Sequence, residues 1–580
     1  MKESSWFSKI NARIVLENTD TKDEGIRSNS DLDPTNVEGR TWKTYNFFLV
    51  WFQSSLNVTI WNSGASLIKN TKIVYWQTMI ASVIGTLIGG LFVMWNSRAG
   101  ATYHVGYPVL LRSTFGVWGY YFFVIIRGFV AILWFAVQTY YGGCLLDVVF
   151  RCIFGHKWWN IENHIPLEQG ITTRLMAAFL LFWLAQWPVM IIHPTKIRHF
   201  FTFKAIALPW ATLGIFIYCV VVGKGPGNFD LGFEVVTKPS QVGWNFMMCI
   251  NSILGSISAM IINQPDVARY SKTTSAPLLP QFVGFMLSKV AIQLFAMVAV
   301  ASYYRVSGVT YWNLWDRLFG ILDQHWTAGA RTGCCFVAGA LWIGNLGTNL
   351  FGNALPFAAD MTGLFPKYIN IKRGQILMSC ICWGIVPWKM LKNAQTFLTF
   401  LGSYTMFVGP ILGCMLADYY FVRKGNLHTP SLYTRKQSGV YYYFRGFNLW
   451  GCLAWLLAMA IGVPGLAAAI NPSKYSINCL HLNYLGWLVC TFAGMLFYTV
   501  FGYFAKPQLY PAGHEDTPTT FEYMVPSNGF FDDDEPINGV GFINYQEESF
   551  SSSSENYGIK DQAIVEVTSL GDLIPTSRSN

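Results

Sequence analysis

The chain has 580 residues, 52% of them hydrophobic and only 12% charged, with a formal charge of +9. Soluble proteins carry about 25% charged residues, so this composition excludes an ordinary water-facing surface and turns the apolar side chains toward lipid. The basic residues are scattered through short segments, such as Lys196/Arg198 and Lys372/Arg373, which excludes a nucleic-acid role.

Residues 1–44 are polar and contain no cleavable signal peptide, so they are expected to form an N-terminal tail. A spanning helix needs about 20 apolar residues. Runs of that kind fall near 45–68, 76–97, 117–142, 173–193, 202–222, 243–264, 280–304, 333–358, 375–394, 396–421, 447–469 and 483–504. None alternates with the period of two that marks a membrane barrel. The expected fold class is therefore an all-α polytopic membrane protein with about twelve transmembrane helices.

Span one is interrupted by Gln53-Ser54-Ser55-Leu56-Asn57-Val58-Thr59, which is too polar for lipid exposure. Asn57-Val58-Thr59 has the form of a glycosylation acceptor, which membrane depth leaves unused. Span six carries Gly255-Ser256-Ile257-Ser258 and closes on Asn263-Gln264-Pro265-Asp266. Two broken helices five spans apart are what an inverted five-plus-five repeat predicts; close packing of small residues would give the same letters.

Ionisable residues at membrane depth are costly and point to function. Span three aligns Arg127, Trp134 and Gln138, since offsets of seven and eleven return to one helix face. An indole and an amide one turn apart suit a planar polar heterocycle, although packing and an interhelical hydrogen bond fit the spacing equally well. Span seven holds Lys289, a buried charge with no role legible from sequence. Span eight places Asn345, Asn349 and Asn353 four residues apart, with Asp360 following. Interhelical bonding explains one asparagine easily and three on one face poorly, so function is favoured. Gly344, Gly347 and Gly352 beside the ladder admit a close approach.

Arg423, Lys424, Arg435, Lys436 and Arg445 place the 422–446 loop, and with it both tails, in the cytoplasm. Residues 505–580 include an acidic run, Asp532 to Glu535, and a serine tract, and are expected to be a disordered tail. Such a tail is open to a kinase or to a ubiquitin ligase acting on Lys560, with plain solvated disorder the stronger reading. The twelve cysteines form no CxxC pair, and the nine histidines supply neither a metal set nor a nucleophile–base pair. No metal, no cofactor and no enzymatic activity are expected. Rings of channel-filter residues are not evident either.

From about Trp42 to Ala505 the chain resembles the nucleobase–cation symporter-1 family, in its fungal Fur-type branch of uracil, allantoin and uridine permeases. The stretches that carry this are GATYHVGYPVLLRSTFG, LWFAVQTYYGG, HPTKIRHFFTFKA, INQPDVARYSK and LGTNLFGNALPFAADMTGLFPKYINIKRG. The resemblance implies a LeuT-like fold with inverted repeats over 45–222 and 243–421 and a peripheral pair over 447–504. It implies that Trp134 stacks on the substrate ring, that Gln138 bonds its polar edge, and that Asn353, helped by Asn349, binds it from span eight. Asp360 and Lys272 match charged positions for binding or gating. Asp266 and Arg269 share a family segment and are expected to pair, and Arg127 joins them as a gating or coupling candidate. Sodium-coupled relatives place two adjacent hydroxyl residues on span eight, where this chain has Gly347-Thr348. That leaves Thr348 and Asn57 as cation-site candidates and favours a proton as the coupling ion. The implied function is import of a heterocycle, uracil first and allantoin or uridine next. A thiamine-like vitamin carrier and a non-transporting nutrient receptor are the alternatives.

Overall fold

The computed structural model describes residues 31–191, 198–227, 235–391, 394–512 and 518–524. The acidic run, the serine tract and Lys560 lie outside the described residues, as do residues 1–30.

Among the described residues, nine helices are long and apolar enough to cross a membrane. They are Tyr75–Tyr103, Tyr120–Phe154, Thr173–Ile191, Lys204–Val222, Leu279–Ser307, Ala328–Leu364, Thr396–Val422, Leu449–Ile470 and Gly486–Ala505. These correspond to spans two, three, four, five, seven, eight, ten, eleven and twelve. The three remaining spans are all interrupted. Span one runs Thr44–Ser55 and Val58–Asn70, and span six runs Pro239–Gly255, Ser258–Ile262 and Gln264–Ala268. Both breaks fall where the polar and glycine clusters predict them.

Span nine, expected to be continuous over 375–394, is also broken. Ile371–Ile381 passes into a tight turn and then Pro387–Met390, with Val386 at φ 52°. Proline bars the preceding residue from continuing a helix, and that was the missed signal. Span three reaches Phe154, well beyond the expected 142. Span eight contains a π-helical turn at Leu350–Ala354, which accommodates one extra residue between Ala328–Asn349 and Leu355–Leu364.

Spans three and eight pack closely together, span seven packs on both halves of span one, and the peripheral spans eleven and twelve pack on span ten. Residues 31–35 and 518–524 both dock on one end of this bundle. Thr35 N donates to the His104 carbonyl at 2.9 Å and Tyr433 Oη to the Leu32 carbonyl at 3.1 Å. At the same end, residues 518–524 are not a solvated tail as expected. Glu522 receives Arg98 Nε and Nη2 at 2.7 and 2.6 Å and Tyr419 Oη at 2.7 Å, and Asn426 Nδ2 donates to the Thr520 carbonyl at 2.9 Å. A bidentate carboxylate–guanidinium pair ties this segment to spans two and ten.

Candidate functional site

Spans three and eight are held in register by the asparagine ladder. Asn345 Nδ2 donates to the Gln138 carbonyl at 2.6 Å, and Asn349 Nδ2 to the Phe135 carbonyl at 3.3 Å. The same Asn349 nitrogen reaches Gln186 Oε1 of span four at 2.7 Å and Thr139 Oγ1 at 3.2 Å. Two of the three asparagines therefore bind helices together, the role that the ladder's repetition argued against. Asn353, inside the π turn, differs: its Nδ2 donates to Asn349 Oδ1 at 2.9 Å, and Asn349 is itself fixed from behind. The antiparallel register brings Asn353 to within about one turn of Trp134 along the helix pair.

Trp134 is buried, with its ring 5.4 Å from that of Phe400 and 6.2 Å from that of Tyr404, so spans three and ten share an aromatic wall. Gln138 Nε2 donates to Thr59 Oγ1 at 2.8 Å, which ties the amide to the second half of span one. Its Oε1 is buried and has no hydrogen-bond partner among the described residues. A buried acceptor without a donor is costly, and a ligand N–H is the natural relief. Trp134, Gln138 and Asn353 thus give a flat face, an open acceptor and a braced amide.

On the same two helices, closer to the end where the tails dock, lies a charged cluster. Arg127 donates through Nε to Asp360 Oδ2 at 2.8 Å and through Nη1 to Asp266 Oδ2 at 2.7 Å, and its Nη2 also contacts Asp360 Oδ1. Asn263 Oδ1 accepts from Nη1 at 2.9 Å and the Pro356 carbonyl from Nη2 at 3.0 Å, and the guanidinium lies 3.8 Å from the Tyr107 ring centre. Tyr107 N donates to Asp266 Oδ1 at 2.8 Å. Three of the gating candidates, Arg127, Asp266 and Asp360, are therefore one network joining spans three, six and eight.

The expected Asp266–Arg269 pair does not form. The one-turn helix Gln264–Ala268 ends before Arg269, whose Nε reaches Thr35 Oγ1 at 2.9 Å and whose Nη1 reaches the Asp31 carbonyl at 3.0 Å. Arg269 fastens the N-terminal segment instead, and Asp266 goes to Arg127. Lys272 is exposed and, among the described residues, joins this region through its backbone, with N donating to the Trp42 carbonyl at 2.8 Å.

Asn57 caps the second half of span one: its Oδ1 accepts from Ile60 N at 3.0 Å and its Nδ2 donates to the Ser54 carbonyl at 2.5 Å. Thr348 Oγ1 lies 3.3 Å from the ammonium of Lys204, a buried residue of span five. Sequence reasoning overlooked Lys204 although the signal was present, since a lysine within the apolar run 202–222 falls under the rule applied to Lys289. Thr59, Gln186, Asn263 and Tyr107 were also overlooked; their roles come from contacts across helices that spacing along one helix does not reveal.

Comparisons with known proteins identify the family and the fold. A family model described as "Permease for cytosine/purines, uracil, thiamine, allantoin" matches residues 34–490. The allantoin permease of Saccharomyces cerevisiae is 32% identical over 516 residues, covering 87% of this chain and 80% of that protein. The uracil permease of the same yeast is 31% identical, covering 86% and 80%. Among solved structures, Mhp1, a nucleobase-cation-symport-1 family transporter in a closed conformation with bromovinylhydantoin bound, superposes with a TM-score of 0.66 at 20% identity. That match covers 84% of this chain and 98% of Mhp1, and it establishes the LeuT-like fold. The chain belongs to the nucleobase–cation-symport-1 family of multi-pass membrane permeases, in the branch that contains the allantoin, uracil and uridine permeases.

Proposed function

We propose that the chain imports a small planar heterocycle with a cyclic N–H/C=O edge by proton symport with alternating access, with uracil the first choice and allantoin or uridine next. The observation that carries this reading is the unpartnered Gln138 Oε1 beside the Trp134 ring. The ring stacks on the indole, its N–H donates to Gln138 Oε1, and Asn353 bonds the opposite polar edge. Asn349 acts on the substrate indirectly, by orienting Asn353.

Proton rather than sodium coupling is supported by two features. The Lys204 ammonium beside Thr348 brings a positive charge to the hydroxyl that a sodium ion would need. Arg127 faces two carboxylates, so the network carries one net negative charge although both are hydrogen-bonded, and it offers a place for a proton. Opening of this network admits substrate to the cell interior in this scheme, with both tails cytoplasmic and the carrier in the plasma membrane. A thiamine-type substrate is disfavoured, because thiamine lacks an unsubstituted cyclic ureide edge.

The test is uptake of labelled uracil in cells lacking their own permeases, with excess unlabelled uracil, allantoin, uridine, thiamine or hypoxanthine as competitors. Saturable uptake, stronger in acidic medium and indifferent to sodium, is expected. Binding without flux would identify a receptor instead, and the absence of saturable uptake of any competitor would overturn the reading. Loss of the pH response in Asp360→Asn supports the coupling role, and an unaltered response removes it.

A further inference from the structure

The broken span six leaves a helix end inside the bundle, and the fate of its backbone groups can be followed one by one. A helix ending at Gly255 frees the carbonyls of Ser252, Ile253, Leu254 and Gly255. Backbone N–H groups of Ser256 and Ile257 take the first and third, at 3.0 and 3.2 Å. The Gly255 carbonyl accepts from Tyr404 Oη. The Ile253 carbonyl receives Ser256 Oγ at 2.7 Å and, at 3.2 Å, the ammonium of Lys289 from span seven. Lys289 Nζ also donates to Ser256 Oγ at 2.9 Å and lies 5.4 Å from the Phe285 ring centre. Lys289 is fully buried, and no carboxylate lies in ion-pair range of it among the described residues. The positive charge that would be prohibitive alone at this depth meets, beside the Ser256 hydroxyl and the Phe285 ring, the negative end of a half-helix, worth roughly half an elementary charge.

Half-helix ends of this kind are where a carrier holds a free coupling cation. We infer that Lys289 is a tethered cation: its ammonium occupies the cation-binding end of the first half of span six and thereby positions the break that backs the substrate site. The connection to that site is short. Tyr404, the other stopper of the helix end, has its ring 6.2 Å from Trp134. Close approach of span ten is enforced at the same point, where a Cβ on Gly255 would lie 2.1 Å from the Leu401 carbonyl oxygen. A lysine that held the break merely by filling space would be replaceable by methionine. A tethered cation is replaceable only by another cation.

This distinction sets the experiment, which rests on the transport reading only for its first readout. Lys289→Ala and Lys289→Met are compared with the parent carrier for uptake in choline, sodium, ammonium and methylammonium chloride, with surface delivery measured in parallel. Lys289→Ala is expected to lose at least ten-fold in uptake, chiefly through KM, and to recover several-fold in ammonium or methylammonium. Lys289→Met, which fills the space, is expected to stay inactive in every salt, and the parent carrier is expected to be indifferent to them. Parent-like uptake by Lys289→Met overturns the inference, as does Lys289→Ala remaining inactive in all four salts.

If the parent carrier takes up none of the tested heterocycles, the substrate reading fails and this inference is read from thermal unfolding of the purified carrier. There Lys289→Ala should gain several degrees from methylammonium while the parent gains none, and equal responses refute the tethered cation. If Lys289→Ala does not reach the surface, Ser256→Ala, which keeps the lysine and removes one acceptor, should raise KM several-fold; an unchanged KM refutes the proposal.

Discussion

Two polar clusters sit on the same pair of helices and treat their hydrogen bonds in opposite ways. Around Arg127 every charged group is engaged: the guanidinium spends its donors on two aspartates, an asparagine and a carbonyl, all buried. Around Gln138, about three turns along span three, buried acceptors are left over, among them Gln138 Oε1 and Asn345 Oδ1. A saturated charged network holds helices in one arrangement and resists being opened, while an unsaturated neutral one waits for a partner. On the proposed reading the contrast separates a lock from a binding place, although both looked in the sequence like polar residues at membrane depth.

The comparison breaks first at the lock. Arg127→Gln strands two buried carboxylates and is expected to cost about 3–5 kcal/mol, enough to abolish uptake and lower the thermal unfolding temperature. Adding Asp266→Asn and Asp360→Asn to that variant should restore part of the unfolding temperature but not the pH response of uptake. A destabilisation by Arg127→Gln of under 1 kcal/mol, on the order of an exposed ion pair, would show that the network is not a lock.

At the binding place the expected effects are smaller on stability and larger on substrate. Gln138→Ala and Asn353→Ala each remove a proposed hydrogen-bonding partner of the ligand and should weaken binding by about 1–3 kcal/mol, roughly 5- to 150-fold, with surface delivery intact. Asn349→Ala should differ from them, because it loosens spans three, four and eight together. It is expected to lower the unfolding temperature as well as affinity, and an effect on affinity alone would return Asn349 to the substrate.

The junction of span two with the N-terminal segment sharpens the contrast by pH. His104 Nδ1 lies 3.1 Å from the Arg269 carbonyl oxygen, and its imidazole is held down from 6.5 to about 4, first by burial and then by the charges of Arg40 and Arg269. The folded protein therefore binds the neutral form. This contribution is complete above pH 6.5 and is lost as pH falls toward 4, amounting to about 2 kcal/mol at pH 5. Thermal unfolding at pH 7.5 and pH 5 should separate further in the parent than in His104→Gln. The smallest effect is expected at the docked tail. Glu522→Gln weakens a partly exposed pair worth about 1 kcal/mol, and hydrogen exchange at 518–524 should rise with little change in uptake.

Much of this was legible from the letters, for identifiable reasons. Polar and glycine runs at membrane depth have no place in a continuous lipid-facing helix, so the breaks at Ser55–Val58 and Gly255–Ser258 followed directly. Span nine hid its break because a lone Val386-Pro387 pair in an apolar run reads equally well as a kink. Arg269 was misassigned because sharing a family segment does not say which residues in it touch; the helix stops between Asp266 and Arg269 and sends them to different partners. Lys204 went unread among the residues of a recognised stretch. The ladder misled by its regularity: periodicity reports which residues share a face, not whether a neighbouring helix or a ligand uses it.

The π turn at Leu350–Ala354 has a consequence for how this carrier tolerates changes in length. Removing one residue there would let the backbone run on as an unbroken α-helix, the cheaper conformation. Because the turn absorbs its extra residue locally, the α-helical segments on either side would keep their register, with Asp360 on Arg127 and Asn345 on Gln138. A one-residue deletion elsewhere in Ala328–Asn349 or Leu355–Leu364 has no such slack: everything beyond it would turn by about 100° and shift by about 1.5 Å. Span eight thus tolerates shortening at one place alone, where its spare residue sits.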